Sequence, residues 1–286
     1  MKTYEFPWKG VNIPVDVHPC ATKAKGVVVY YHGGGLIYGS GRDLPQEYVQ
    51  TITQDGYHLV CMNYLLAPES PLSDIQESAY QGLLWVLAHR GEWFEDAEYP
   101  YVLFGRSAGA FLAITLAYEL QRKEVEQPAA LWLFYGYHHL NHADFQTPSS
   151  YYQSLPQITS ELLPLVEQAQ LCCQASVEQR YLLYVYARQQ GSWPRMLQAS
   201  VGAGVPHGAL AQLPPAFLTA STTDQDVPYV FSQIMHVSMP KSFFLPVYGL
   251  EHDYDRNPQR LESQTLYQKV LEWTNDVLEE KYGVSK

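Results

Sequence analysis

Positive charge is scarce in this chain. Lys and Arg number 18 against 29 Asp and Glu, a formal net charge of -11 at pH 7. Nucleic acids and anionic membranes are held by basic patches, so the balance argues against both as partners. Cysteine is sparser still. Cys20, Cys61, Cys172 and Cys173 follow no metal-ligand or redox spacing. The adjacent Cys172 and Cys173 read as two reduced, packed thiols rather than a strained vicinal disulfide. The N-terminal MKTYEFPWKG has no apolar core of signal-peptide length, and no later run is long enough to span a membrane. The expectation is a cytoplasmic protein. Repeats and low-complexity tracts are lacking too. Hydrophobic residues make up 47% of the 286 positions, which excludes disorder and suits one large domain with an insertion. The 23 tyrosines read as packing residues with one wet end, some of them forming pocket walls.

Periodicity then orders the chain. Residues 3–6 and 11–17 alternate around Trp8–Gly10, which predicts a leading β-hairpin. GVVVYYHGGG (26–35) and YHLVCMNY (57–64) are short apolar runs that suit strands buried on both faces. Over 73–90, Ile75, Ala79, Leu83, Val86 and Leu87 share a helical face, with Ser73 or Asp74 placed to cap it. A strand at 101–105, a helix from Ala108 and a strand at 129–136 follow. Strands alternating with helices predict a mostly parallel, doubly wound sheet. The alternation lapses from about 138 to 206, where SELLPLVEQAQLCC and SVEQRYLLYVYARQQ are helix-like; this stretch reads as a helical cap on a single 1–286 domain. Strands at 215–221 and 241–247 and a helix near 261–281 close the chain.

YVLFGRSAGAFLAITLA (101–117) holds Gly-x-Ser-x-Gly where a buried strand becomes a buried helix. A nucleophile on such a turn projects clear of the main chain, and Gly105 and Gly109 remove side chains that would strike the adjoining strand and helix. Ser107 needs a base, and that base needs an orienting acid. Of the ten histidines, His252 in YGLEHDYD follows the last strand and can reach the same sheet edge. Titration near the ordinary imidazole value of about 6.5 is expected of it. His58, His89 and the group His138, His139 and His142 at the cap entrance sit wrongly for that role. STTDQDVP offers Asp224 and Asp226; Asp224 is preferred, because Asp226 stands before Val227-Pro228, where it would cap the next helix. Glu251 and Asp253 are too near His252 in sequence to orient its ring. The glycines of YYHGGGLIYGS (30–40) leave main-chain N–H groups free to approach an oxyanion.

These pieces together resemble the α/β-hydrolase superfamily, and most of all its branch of hormone-sensitive-lipase-like proteins and bacterial carboxylesterases. HGGGLIYGS from His32, NYLLAPESP from Asn63 and GRSAGA from Gly105 carry the likeness, in that order. The resemblance implies an α/β-hydrolase fold and acyl transfer through a serine ester. Ser107 would attack, His252 relay the proton and Asp224 fix the tautomer. Gly34, Gly35 and Ala108 would form the oxyanion hole. It implies no metal and no organic cofactor. Two positions depart from the branch: Arg106 stands where an acidic residue is usual, and Leu65 where arginine is common. A small, mainly apolar carboxylic ester is the expected substrate, with Tyr and Leu of the cap as pocket walls, and a homodimer is left open. One alternative is an amide or peptide hydrolase of the aminoacyl peptidase or formamidase type, with Glu161, Glu167 and Glu178 as an amine site. Another is a catalytically silent ligand-binding protein of the same fold.

Overall fold

The computed structural model describes residues 1–94, 96–163 and 170–283. Eight strands form one sheet: β1 (Lys2–Trp8), β2 (Val11–His18), β3 (Gly26–Tyr31), β4 (Tyr57–Met62), β5 (Tyr101–Arg106), β6 (Ala130–Phe134), β7 (Ala216–Ser221) and β8 (Ser242–Val247). Their spatial order is β1-β2-β4-β3-β5-β6-β7-β8. β1 and β2 form the expected hairpin, and β2 also meets β4 antiparallel. Every other pairing is parallel.

Nine α-helices are described: α1 (Gln46–Gln54), α2 (Leu72–Phe94), α3 (Ala108–Arg122), α4 (Ala143–Gln146), α5 (Ser150–Ser154), α6 (Val177–Gln189), α7 (Trp193–Met196), α8 (Tyr229–Ser238) and α9 (Leu261–Tyr282). Two successive side chains of a strand point to opposite faces, so each central strand feeds two cores. Val27, Val29 and Tyr31 of β3 pack with α2, α3 and α8. Val28 and Tyr30 pack with α1 and α9. Wholly buried strands with no polar alternation are what such a double layer requires.

The chain leaves β3 toward β4 on one side and returns to β5 on the other. The crevice at this reversal, beyond the carboxyl ends of β3 and β5, is where open α/β sheets bind ligands. Both glycine motifs lie there.

Local differences from the sequence reading have physical causes. α1 was not anticipated, because a mostly polar helix shows only Tyr48, Val49 and Ile52 as its apolar face. α2 begins at Leu72, so Ser73 and Asp74 lie inside its first turn and do not precede it. SVEQRYLLYVYARQQ forms α6, opened by a capping box between Ser176 and Gln179. SELLPLVEQAQLCC is not an α-helix where it is described. Ser160–Leu162 makes one 3-10 turn, and 164–169 lie outside the described residues.

The glycines flanking Ser107 are required by close packing. A Cβ on Gly105 would lie 2.1 Å from the Gly109 carbonyl carbon, and one on Gly109 would lie 2.0 Å from the Tyr31 oxygen. Helix propensity alone favours Gly109→Ala by about 1 kcal/mol. Backbone overlap reverses that sign, and the loss should reach or exceed the roughly 1–3 kcal/mol of ordinary overpacking. Thermal denaturation should show Gly109→Ala strongly destabilised beside Gly208→Ala, whose added Cβ meets no atom within 4 Å. Equal melting temperatures for the two variants would contradict this packing.

Candidate active site

Ser107 is the residue between β5 and α3, with φ +53° and ψ -119°. That conformation is unfavourable for a side-chain-bearing residue and persists only where the surroundings enforce it. Here the Ser107 N–H donates to the Phe134 oxygen at 2.9 Å, and its carbonyl accepts from Ala110 at 2.9 Å. The hydroxyl is thereby aimed at His252, whose Nε2 lies 2.9 Å from Ser107 Oγ. On the far side of the ring, Nδ1 lies 2.6 Å from Asp224 Oδ2. The second Asp224 oxygen accepts the N–H groups of Asp226 and Val227, both at 2.9 Å, so the carboxylate is held from two directions. Ser221 at the end of β7 both donates to and accepts from Leu250, and this fixes the loop that carries His252. Glu251 instead pairs with Arg260. The structure brings Ser107, His252 and Asp224 into one hydrogen-bonded series.

Gly34 and Gly35 line the same chamber of about 350 Å³ as Ser107 and His252. Both have positive φ, +91° and +62°. Ile37 and Tyr38 donate to the Gly34 carbonyl at 3.0 and 3.1 Å and close the turn. A Cβ on Gly34 would overlap Tyr38, and one on Gly35 would overlap the Tyr184 ring, so neither position tolerates a side chain. Ala108 is the first residue of α3, where a backbone N–H has no partner within its helix. His32 ahead of the glycines is buried; its ring stacks on Tyr64 at 4.2 Å, and burial lowers it to about 4.

Arg106 is buried beside Ser107. It donates to Tyr135 Oη at 2.7 Å, Asp255 at 2.9 Å and Asp253 at 3.3 Å. The residue before the serine is thus tied to the loop after His252, while Leu65 packs in the core and plays no part in these ion pairs.

Asp226 departs from its expected role. α8 starts behind Pro228 with no side-chain cap. Asp226 Oδ1 instead accepts from Arg188 at 2.9 Å and from Tyr184 at 2.8 Å, both on α6. Arg188 is 2% exposed and ringed by Phe145, Tyr152, Tyr184 and Trp193. A buried arginine needs a carboxylate, and the loop holding Asp224 supplies it. Sequence reasoning missed Arg188; its spacing of four from Tyr184 on one helical face was the available signal. The same helix is held a second time by Arg180, which pairs with Glu69 of the NYLLAPESP stretch.

Asp226 Oδ2 also stands 3.8 Å from His252 Nε2. Burial alone would lower the imidazole. The charge and hydrogen bond of Asp224, with Asp226 and Asp253 behind them, outweigh burial and push it up to about 9. This is well above the ordinary value expected from sequence. The chamber is also more polar than the expected Tyr and Leu walls: Tyr38, Val177 and Tyr184 share it with Asp226, Asp253 and Arg256, and Glu178 stands at its rim. His58, His89, His138, His139 and His142 do not line it. Burial first, and then its neighbouring histidines, lower His138 to about 3; burial and His139 lower His142 to about 4.

A serine, an imidazole and a carboxylate in series at the switch point of a doubly wound sheet is the arrangement of an α/β hydrolase. Residues 28–225 match the family described by the alpha/beta hydrolase fold, and the chain belongs to that family. A Staphylococcus aureus subsp. aureus Mu50 protein with unknown function superimposes with a TM-score of 0.86 at 31% identity, over 97% of this chain and 100% of that one. Probable carboxylesterase 6 of Arabidopsis thaliana is 30% identical over 122 residues, 41% of this chain and 36% of its own length. Human hormone-sensitive lipase is 26% identical over 146 residues, 51% of this chain and 13% of its own length. The chain thus spans far less than two thirds of these two curated relatives.

The raised imidazole sets the pH dependence. Only neutral His252 can accept a proton, so kcat/KM for any substrate turned over through it should climb with pH toward a midpoint near 9. Asp226→Asn removes a negative charge 3.8 Å from Nε2, which disfavours imidazolium, so the midpoint should move to lower pH. A midpoint near 6.5 in both proteins would contradict this electrostatic account.

Proposed function

We propose that the protein hydrolyses small, uncharged carboxylic esters through an acyl-enzyme on Ser107. The series Asp224–His252–Ser107, at 2.6 and 2.9 Å, is the observation that carries the reading. Ser107 Oγ attacks the carbonyl carbon while its proton passes to His252 Nε2. The N–H groups of Gly34, Gly35 and Ala108 receive the negative oxygen of the tetrahedral intermediate, where one such donor is worth about 100–1,000-fold in rate. Collapse breaks the ester C–O bond, and the imidazolium protonates the departing alcohol. Water then repeats the sequence on the acyl-enzyme and frees Ser107. Asp224 keeps the Nδ1 proton in place throughout.

Chamber size supports a small acyl group, and the carboxylates of Asp226 and Glu178 disfavour an anionic one. A mainly apolar group suits these walls less well than a neutral group with some polarity. An adjoining recess of about 620 Å³, bordered by Tyr151, Tyr152 and Tyr181, gives room for the rest of the ester. Glu178 at the rim also supports a second reading, an aminoacyl amide whose ammonium group meets that carboxylate. Glu161 is exposed and lines neither cavity, and Glu167 is outside the described residues. Among the described residues no helix is long and apolar enough to cross a membrane. All four cysteines are free, in keeping with a reducing, cytoplasmic setting.

Initial rates on p-nitrophenyl esters of rising chain length, measured beside aminoacyl p-nitroanilides, test the reading. Short esters should be turned over fastest and the anilides far more slowly. Ser107→Ala should retain its fold and lose several orders of magnitude in kcat. Tyr181→Ala should reorder the longer esters by about 1–3 kcal/mol while sparing acetyl. Faster anilide than ester turnover would favour the amide reading, and an unchanged rate in Ser107→Ala would end both.

A further inference from the structure

Ten histidines are many for a site that uses one. Three of the others gather where the chain leaves β6 for the segment before α4. We propose that His138, His139 and His142 form a binding site for a divalent transition metal of the zinc class, with His207 placed as a further ligand.

The ligand nitrogens of the three residues all lie within 4.8 Å of one another. His138 is 1% exposed, yet neither of its ring nitrogens has a partner, and His142 Nε2 is buried and unpartnered as well. A neutral imidazole carries one N–H and one lone pair, and buried polar groups of this kind are nearly always matched. A metal ion would engage the lone pair that nothing in the protein engages. An all-imidazole set suits zinc, nickel, copper or cobalt, whereas magnesium and calcium call for oxygen ligands.

The backbone presents the cluster on a stiff support. His139 bridges Gly204 antiparallel, Leu140 donates to Ala203 at 3.0 Å, and Val205 donates to the His138 carbonyl at 2.7 Å. The stretches leading into and out of the insertion are therefore already side by side. His207 follows directly on the return stretch, exposed, its ring 6.0 Å from that of His138 and its Nε2 3.4 Å from Ser238 Oγ, a contact it would leave on turning toward the three. His142 stacks on Phe231 of α8 at 3.6 Å and on His139 at 3.9 Å, while His138 stands edge-on to both histidines. Tetrahedral coordination at zinc–nitrogen distances implies ligand spacings of about 3.4 Å. The nitrogens here lie up to 4.8 Å apart, so binding would draw them together and turn the stacked rings of His139 and His142 edge-on to the shared ion. The Asn141 N–H bond to His139 Nδ1, 3.1 Å long, would be given up whichever nitrogen of His139 ligates. Through His207, a bound ion would join both necks of the insertion, apart from the Ser107 chamber, which none of these histidines lines.

Tag-free, chelator-stripped full-length protein should be titrated with Zn2+ by calorimetry and with Co2+ by visible absorption. The expected result is one equivalent bound, ligand-field bands without a thiolate charge-transfer band, and a higher melting temperature with Zn2+ but not with Mg2+. His138→Ala and His142→Gln should each weaken binding by more than the roughly 10–100-fold that loss of an outer-shell partner costs. His142 is half-buried, so His142→Gln carries the test if His138→Ala fails to fold. His89→Gln and the double change Cys172→Ser with Cys173→Ser should bind as the parent does. Absence of stoichiometric binding, binding indifferent to His142→Gln, or binding lost with the cysteines would overturn the proposal.

Discussion

Arg106 lies buried beneath the turn that presents Ser107, and the alignment of the whole site depends on what it holds. Its guanidinium reaches Asp255, which is fully buried, and Asp253, both just beyond His252. Tyr135 and Tyr267 donate to the Asp255 carboxylate from two further elements. Tyr135 also sets its ring edge-on to His252 at 4.9 Å. A buried ion pair gives little net stability, but removing one member leaves a stranded charge. The value of this one is positional. It couples the serine that follows β5 to the imidazole loop after β8, three strands away in the sheet.

A comparable arrangement governs the insertion between β6 and β7. α6 is attached to the body by two ion pairs, Arg188 with Asp226 and Arg180 with Glu69. The first lands two residues from Asp224, so the element that walls the chamber and the carboxylate that orients His252 share one loop. Tyr184 completes the arrangement by covering Gly35 and donating to Asp226. The shape of the chamber and the electrostatics of the imidazole are therefore set by overlapping residues.

Much of this was legible in the sequence. Buried strands announce themselves as apolar runs, and β3 to β7 fall where those runs lie. Ser107, Asp224 and His252 follow from strand-end logic because a doubly wound sheet gathers its carboxyl-end loops at one edge. The role of Asp226 was not legible: a carboxylate before Val-Pro looks like a helix cap, and only the fold shows a buried arginine from 38 residues away reaching it. The partner of Arg106 was hidden for the same reason, being 149 residues distant. The raised imidazole is the sum of three carboxylates that sequence spacing does not add together. Spacing marks the entrance histidines only as misplaced for a base; their burial and unmatched nitrogens come from the fold.

The nucleophilic role proposed for Ser107 depends on the strained turn that presents it. Treating the protein with a fluorophosphonate and mapping the adduct by mass spectrometry tests it most directly. The account predicts a single phosphonylated residue, Ser107, with labelling lost in His252→Ala. An adduct on any other serine, or equal labelling of the His252→Ala protein, would contradict it.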